Sequence, residues 1–159
     1  MSGTRVALLS VRYRELLWVP WWWWPLGFAL AGLVAFEVNM GAGAALPAWV
    51  PFATLFTVAA GTLLWLGRIE IQVTAGPDGV ELWAGQAHLP VTAITRSAEI
   101  PRSAKSAALG RQLDPAAYVL HRAWIGPMVL VVLDDPDDPT PYWLVSCRHP
   151  GRVLSALRS

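Results

Sequence analysis

The stretch PWWWWPLGFALAGLVAFEVNMGAGAALPAWVPFATLFTVAAGTLLWLG, residues 20–67, contains a single ionisable side chain, Glu37. The nearest charges upstream are Arg12, Arg14 and Glu15, with Arg5 before them, and the next downstream is Arg68. Each uncharged run reaches the roughly 20 apolar residues that a helix needs to cross about 30 Å of hydrocarbon. The pattern predicts one span from Pro20 to Met40 and a second from Ala48 to Gly67. The link between them, Gly41-Ala-Gly-Ala-Ala-Leu-Pro47, carries turn-forming glycine and proline and no charge. Two helices joined so tightly must be antiparallel neighbours.

Composition points the same way. Of 159 residues, 55% are apolar and 14% charged, and the mean hydropathy is +0.43. Ordinary soluble domains carry about 25% charged residues. A disordered chain and an ordinary soluble enzyme of this length are excluded. One cysteine excludes an intramolecular disulfide framework and a zinc site of several thiolates. A net charge of +1 gives no electrostatic case for nucleic acid. The expected protein is therefore a small α+β membrane protein with membrane lipids among its partners.

Basic residues flank the outer ends of the two spans and are missing from the loop between them, which predicts that both termini are cytoplasmic. The expected organisation is a cytoplasmic segment 1–19, a transmembrane hairpin 20–67 and a cytoplasmic β-rich domain 68–159. A cleaved signal peptide competes, since Ala42-Gly-Ala44 follows a basic start. Its apolar region would normally span only about 7–15 residues, and the run here is longer.

Trp18, Trp21, Trp22, Trp23 and Trp24 gather at the start of the first span, and Trp49 and Trp65 lie near the ends of the second. Successive helical residues rotate by about 100°, so four adjacent indoles cannot line one pocket. They are expected to be interfacial anchors, apolar body inward and N–H wet. Glu37, near the outer end of its span, is a suspect for a partner or transport role by its position in the membrane and an interface anchor by its nearness to the end. Small residues recur every fourth position at Gly27, Ala31, Ala35 and at Ala53, Thr57, Gly61. One register centred on Ala44 would oppose Gly27 with Gly61, Ala31 with Thr57 and Ala35 with Ala53, giving a close seam within the hairpin or between copies.

After Ile69 the period changes. Ile69–Thr74 alternates apolar and polar residues, Gly76-Pro-Asp-Gly79 is turn chemistry, and Val80–Trp83 resumes the alternation. Further strands are predicted up to Leu89, over 90–100, 117–121, 128–133 and 142–147, with a short helix over 103–109 stopped by Gly110. The segment 150–157 places Val153, Leu154 and Leu157 on one face of a closing helix with Pro150 at its entry. The expected fold is thus a transmembrane helical hairpin followed by a small antiparallel β-rich domain with a C-terminal helix. Pleckstrin-homology-like domains share this order, an analogy of fold that carries no activity.

Beyond the order of elements, particular motifs stand out: Tyr13-Arg-Glu15, Trp18-Val-Pro-Trp-Trp22, Leu113-Asp-Pro115, His121-Arg-Ala-Trp124 with Gly126-Pro127, and Pro139-Thr-Pro-Tyr-Trp-Leu-Val-Ser146 with His149-Pro150. By these motifs, over nearly the whole chain, the protein resembles an actinobacterial family of two-pass membrane proteins classed as a domain of unknown function. The resemblance implies an inner-membrane protein of a high-GC Gram-positive bacterium. It supplies no catalytic or binding residues.

Site chemistry is sparse. Asp134, Asp135, Asp137 and Asp138 are interrupted by Pro136 and Pro139 and lack the Gly and bidentate Glu of a calcium loop, so a solvated turn is expected. His88, His121 and His149 are too scattered for a metal site. A Cys147–His149 dyad would need an accessible, electropositive thiol. The loop 121–127 sets His121, Arg122 and Trp124 beside a rigid turn, and Trp and Arg commonly anchor interfaces; alternatively Trp124 packs inward. Tyr142 and Trp143 are further candidate partner contacts, but they point to opposite faces of one strand, so only one can be core and the other is the second contact. Arg96, Arg102, Lys105 and Arg111 form a basic segment expected to lean toward an anionic leaflet, where each base contributes about 1 kcal/mol. The functional expectation is a membrane-anchored, non-catalytic binding module, with no cofactor and no metal. It would present its β-domain to a membrane or cytoplasmic protein or to a lipid headgroup. The rival is an accessory subunit of a larger membrane complex with the hairpin as interface.

Overall fold

A computed structural model of the chain describes residues 10–42, 45–111, 113–136 and 138–159. Arg5, Gly43, Asp137 and the proposed register centre Ala44 lie outside the described residues. The chain divides into two units: Trp18–Ile69, and the residues up to Leu17 together with Glu70–Ser159.

The first unit is a pair of helices, α1 (Trp23–Ala42) and α2 (Trp49–Gly67). At 1.5 Å per residue each is long enough, and apolar enough, to cross a membrane. Helix α1 starts three residues later than expected. Trp23 N–H donates to the Pro20 carbonyl at 3.0 Å and Trp24 N–H to that of Trp21 at 3.2 Å, so residues 20–22 form a lead-in turn. Pro25 and Pro51 then sit in the first turns of α1 and α2, where a missing N–H costs nothing.

The seam pairs large with small. A Cβ placed on Gly27 would lie 3.2 Å from Leu63 Cδ1, and one on Gly32 would lie 3.6 Å from the Phe56 ring. Phe28 meets Phe56 edge-on at 5.6 Å, and Ala31 and Ala35 are buried. This corrects the expected pairing on one side. The face Gly27-Ala31-Ala35 is in the seam, but Ala53, Thr57 and Gly61 are exposed and Gly61 faces open space. Helix α2 is rotated about its axis to bring Leu63 inward. Leu over Gly fills the gap between the backbones better than Gly over Gly would, and dispersion contacts reward that filling. The outward surface carries Leu26, Leu30, Leu33, Phe36, Val58 and Leu64. The hydroxyls of Thr57 and Thr62 donate to the carbonyls of Ala53 and Val58, each at 2.8 Å, so both are satisfied inside the helix.

The second unit holds two sheets. The first is a meander in the order β1-β2-β3-β4, with β1 Ser10–Leu16, β2 Glu70–Gly76, β3 Gly79–Ala84 and β4 Ala87–Pro90, all antiparallel. Alternation in β2 buries Ile71 and Val73. Gly79, at φ +118°, makes the β2–β3 turn that a side chain would strain. The sequence reading assigns no strand to 10–16. The structure finds one, paired with β2 from Ser10↔Ala75 to Leu16↔Glu70. The apolar hairpin therefore interrupts the β-unit in sequence between two adjacent strands.

The second sheet has the order β5-β7-β8-β6, with β5 Ile94–Ile100, β6 Tyr118–Leu120, β7 Met128–Leu133 and β8 Tyr142–Ser146; the four-residue helix α3 (Lys105–Ala108) lies between β5 and β6. Here the expectation of purely antiparallel strands is corrected. β6 runs parallel to β8 and satisfies the edge that β7 leaves free. Helix α4 (Pro150–Arg158) buries Val153, Leu154 and Leu157 and packs on β1, β2, β3, β5 and β7.

Candidate functional site

Two features that the sequence keeps apart come together in the β-unit. The loop 121–127 between β6 and β7 is held by cations from the turn that precedes and forms α3. Lys105 Nζ donates to the Arg122 carbonyl at 2.9 Å and also to that of Ile125. The aliphatic stem of Arg102 lies across Gly126, where a Cβ would stand 3.0 Å from Arg102 Cδ. A side chain at Gly126 would have to push the Arg102 stem aside. Arg122 has its guanidinium carbon 5.7 Å from the Trp124 ring centre, in cation–π range, while its backbone N–H donates to Ser146 Oγ at 3.0 Å. Its Nη1 donates to the His121 carbonyl, and its Nε is buried with no acceptor among the described residues.

Arg102, Lys105, His121 and Arg122 thus form one cluster, and among the described residues no carboxylate is ion-paired with any of them. The electrostatic signature follows. Burial, then Lys105 and Arg122, hold the His121 imidazole below its ordinary value. Burial and Arg102 lower Lys105. Such a surface is suited to an oxyanion: it offers guanidinium donors beside an indole and repels a further cation.

Other expected site residues stand elsewhere. Trp124 is half-buried, and its Nε1 donates to the Leu17 carbonyl at 3.3 Å, so the indole also fastens the end of β1. Trp143 is 5% exposed and packs on Tyr118 at 4.5 Å. That corrects its assignment as a contact residue: it is the core member of the pair, buried because its face of β8 turns inward. Tyr142 takes the other face, where it borders a hollow of about 280 Å³ with Ile100, Ala108, Leu130, Val132 and Leu144, and its hydroxyl accepts the Asp114 N–H at 2.8 Å. Arg96 in β5 and Arg111 after α3 are exposed and share no hydrogen bond with the loop. Glu37 is exposed on α1, outside the seam. Of the tryptophans, Trp21 at 80%, Trp49 at 69% and Trp65 at 70% are the most exposed, while Trp22 and Trp23 meet edge-on at 5.9 Å.

Cys147 is fully buried, and burial with Glu15 and Glu99 nearby pushes its thiol up to about 12. It is an inert core residue, the opposite of an activated nucleophile. Beside it, the buried Glu15 of β1 accepts the Tyr13 hydroxyl at 2.5 Å and the Arg148 N–H at 2.7 Å, with His149 Nδ1 at 3.8 Å. Asp138 caps the Thr140 N–H at 2.8 Å, and hydrogen bonding from the Thr140 hydroxyl and then from that N–H lowers its carboxyl. Among the described residues no cluster of His, Cys, Asp or Glu has metal-ligand geometry.

Fold and site define an α+β protein with an apolar helical hairpin set between the first two strands of a mixed β-unit. A family model described as a protein of unknown function (DUF3093) matches residues 12–157, and the chain belongs to that family. No curated protein and no solved structure matches it.

Proposed function

We propose that this protein is a membrane-anchored, non-catalytic binding module that presents its β-unit at the cytoplasmic leaflet and binds an anionic lipid headgroup through Arg102, Lys105, His121, Arg122 and Trp124. The observation that carries the reading is the insertion of the hairpin between β1 and β2, whose ends pair at Leu16↔Glu70. Both helices are largely apolar on their outward faces, Glu37 toward the end of α1 excepted, and the hydroxyls of Thr57 and Thr62 in α2 are satisfied internally, as hydrocarbon favours. The link from Gly67 to Glu70 spans at most about 10 Å when extended. With that tether, β2 begins near the reach of a leaflet's surface potential, which decays over a Debye length of about 8 Å. Arg12, Arg14 and Arg68 flank the spans on one side, which favours cytoplasmic termini. A four-stranded meander, a second sheet and a closing helix follow the order of pleckstrin-homology-like domains, in keeping with an actinobacterial inner-membrane family.

The test reconstitutes the full chain in nanodiscs of zwitterionic lipid with and without phosphatidylglycerol. Hydrogen exchange then reads the amides of residues 122–126. Anionic lipid is expected to slow their exchange, and Arg102→Gln with Arg122→Gln to abolish that difference. Exchange indifferent to headgroup charge sinks the headgroup assignment, and extraction of the chain from native membranes by alkaline carbonate sinks the anchor itself.

A second reading, an accessory subunit that docks through its hairpin, draws support from an apolar groove of about 380 Å³ along Gly27, Leu30, Ala31, Val58, Ala59 and Leu63. Co-purification of a membrane protein that is lost on filling the groove by Ala59→Phe would favour it.

A further inference from the structure

Elsewhere on the β-unit, β1 and α4 border an open cleft of about 420 Å³ that no part of the foregoing reading uses. Its walls are Arg12 and Tyr13 from the strand and Gly151, Arg152, Ser155, Ala156 and Ser159 from the helix. Consecutive strand residues normally face opposite ways, so Arg12 and Tyr13 should not share a wall. They do so because the ladder is irregular at this point: Val11 pairs with Thr74 and Tyr13 with Val73, which leaves Arg12 without a partner in β2. A bulge of this kind re-aims a side chain, and bulges gather beside functional sites.

Charge completes the picture. Neither Arg12 nor Arg152 has an ion-pair partner among the described residues. The buried carboxylate nearest the cleft, Glu15, is already engaged by the Tyr13 hydroxyl and the Arg148 N–H. Glu99 is turned to Gly151 at the start of α4 and does not line the cleft. The hydroxyls of Ser155 and Ser159 donate to the carbonyls of Gly151 and Ala156. Among the described residues, the free donors in the cleft are therefore two guanidiniums, one on each wall, and small helix residues leave room between them.

We infer that this cleft is a binding site for a phosphomonoester, its phosphoryl group clamped between Arg12 and Arg152 and its organic body lying against Tyr13. Two unpaired guanidiniums match the charge of about −2 that a phosphomonoester carries at neutral pH, and the planar fork of each suits its oxygens. The volume falls within the range of about 300–1,000 Å³ typical of small-molecule sites.

The phosphoryl group has two possible carriers, a soluble ester or a lipid. Full-length protein in maltoside micelles is titrated with phenyl phosphate by calorimetry, and in a parallel arm is placed in nanodiscs with or without phosphatidic acid and read by lipid retention in native mass spectrometry. Saturable binding in the first arm, or selective retention in the second, is expected to weaken at least about tenfold in both Arg12→Gln and Arg152→Gln. Arg14→Gln, on the same strand but paired to Glu70 at 2.8 Å, and Arg122→Gln, in the other cluster, should bind as before. Dependence in the first arm identifies a soluble ester and in the second a lipid. Binding that survives both cleft variants, falls equally in the Arg14 control, or is absent from both arms overturns the inference. The Arg122→Gln control keeps this outcome separate from that of the headgroup cluster.

Discussion

Cys147 and Glu15 illustrate how single residues are governed by what surrounds them. The thiol is fully buried beside two carboxylates, and a thiolate there would be desolvated and repelled. Its folded value, about 12, exceeds the ordinary 9.0, so above pH 9 the unfolded chain sheds this proton while the native one keeps it. The contribution to stability is whole below about pH 9 and declines as pH rises toward 12. Cys147→Ala should therefore flatten the fall in stability across that alkaline window, as read by denaturant unfolding at several pH values. The native thiol should also resist aromatic disulfide reagents at pH 8 until denaturant is added. Rapid labelling of the native protein would contradict the burial.

At the scale of elements, the hairpin seam depends on which faces meet. Gly27 sits 3.2 Å, measured from an ideal Cβ, under Leu63, whereas Gly61 opens to its surroundings. Gly27→Leu should wedge α1 from α2, because overpacking a filled contact typically costs about 1–3 kcal/mol. Gly61→Leu should leave the helix pair intact. Cysteine crosslinking between residues 31 and 59 in membranes distinguishes the two: it should fall in the first variant and persist in the second. The β1–β2 pair is the other element on which the fold turns. Glu15 reaches from β1 to the Arg148 N–H just before α4, Arg148 Nη1 returns to the Leu16 carbonyl at 3.1 Å, and Trp124 holds the Leu17 carbonyl. A strand that precedes the hairpin thus completes a unit whose other strands all follow it.

For the whole molecule, that insertion makes a prediction about dissection. Residues 68–159 alone lack β1 and should not fold. A chain in which a short Gly-rich turn replaces residues 18–69 joins Leu17 to Glu70 across an existing antiparallel pair, and the hairpin turn it needs is the commonest kind of strand connection. That protein should be soluble and monomeric, and should unfold cooperatively by circular dichroism. The uninterrupted fragment 68–159 folding equally well would show that β1 is dispensable.

Local chemistry alone was sufficient for the apolar helices, the strands from β2 onward and the closing helix, because turn residues and hydrophobic period act over a few positions. Strand β1 was hidden by its own composition. In SVRYREL the inward positions include Tyr13 and Glu15, and a carboxylate on a buried face breaks the apolar alternation that betrays a strand. Only the folded chain supplies the Tyr13 hydroxyl and the Arg148 N–H that make a buried Glu15 acceptable. The rotation of α2 was equally illegible, since a helix apolar on every side has no period to reveal which face packs. The site follows the same rule: the sequence named Arg102, Lys105, Arg122 and Trp124 as two separate features, and tertiary structure made them one by laying α3 across a loop twenty residues away. Sequence determined which segments form apolar helices or sheet; three-dimensional contact decided which polar groups could be buried and which charges would meet.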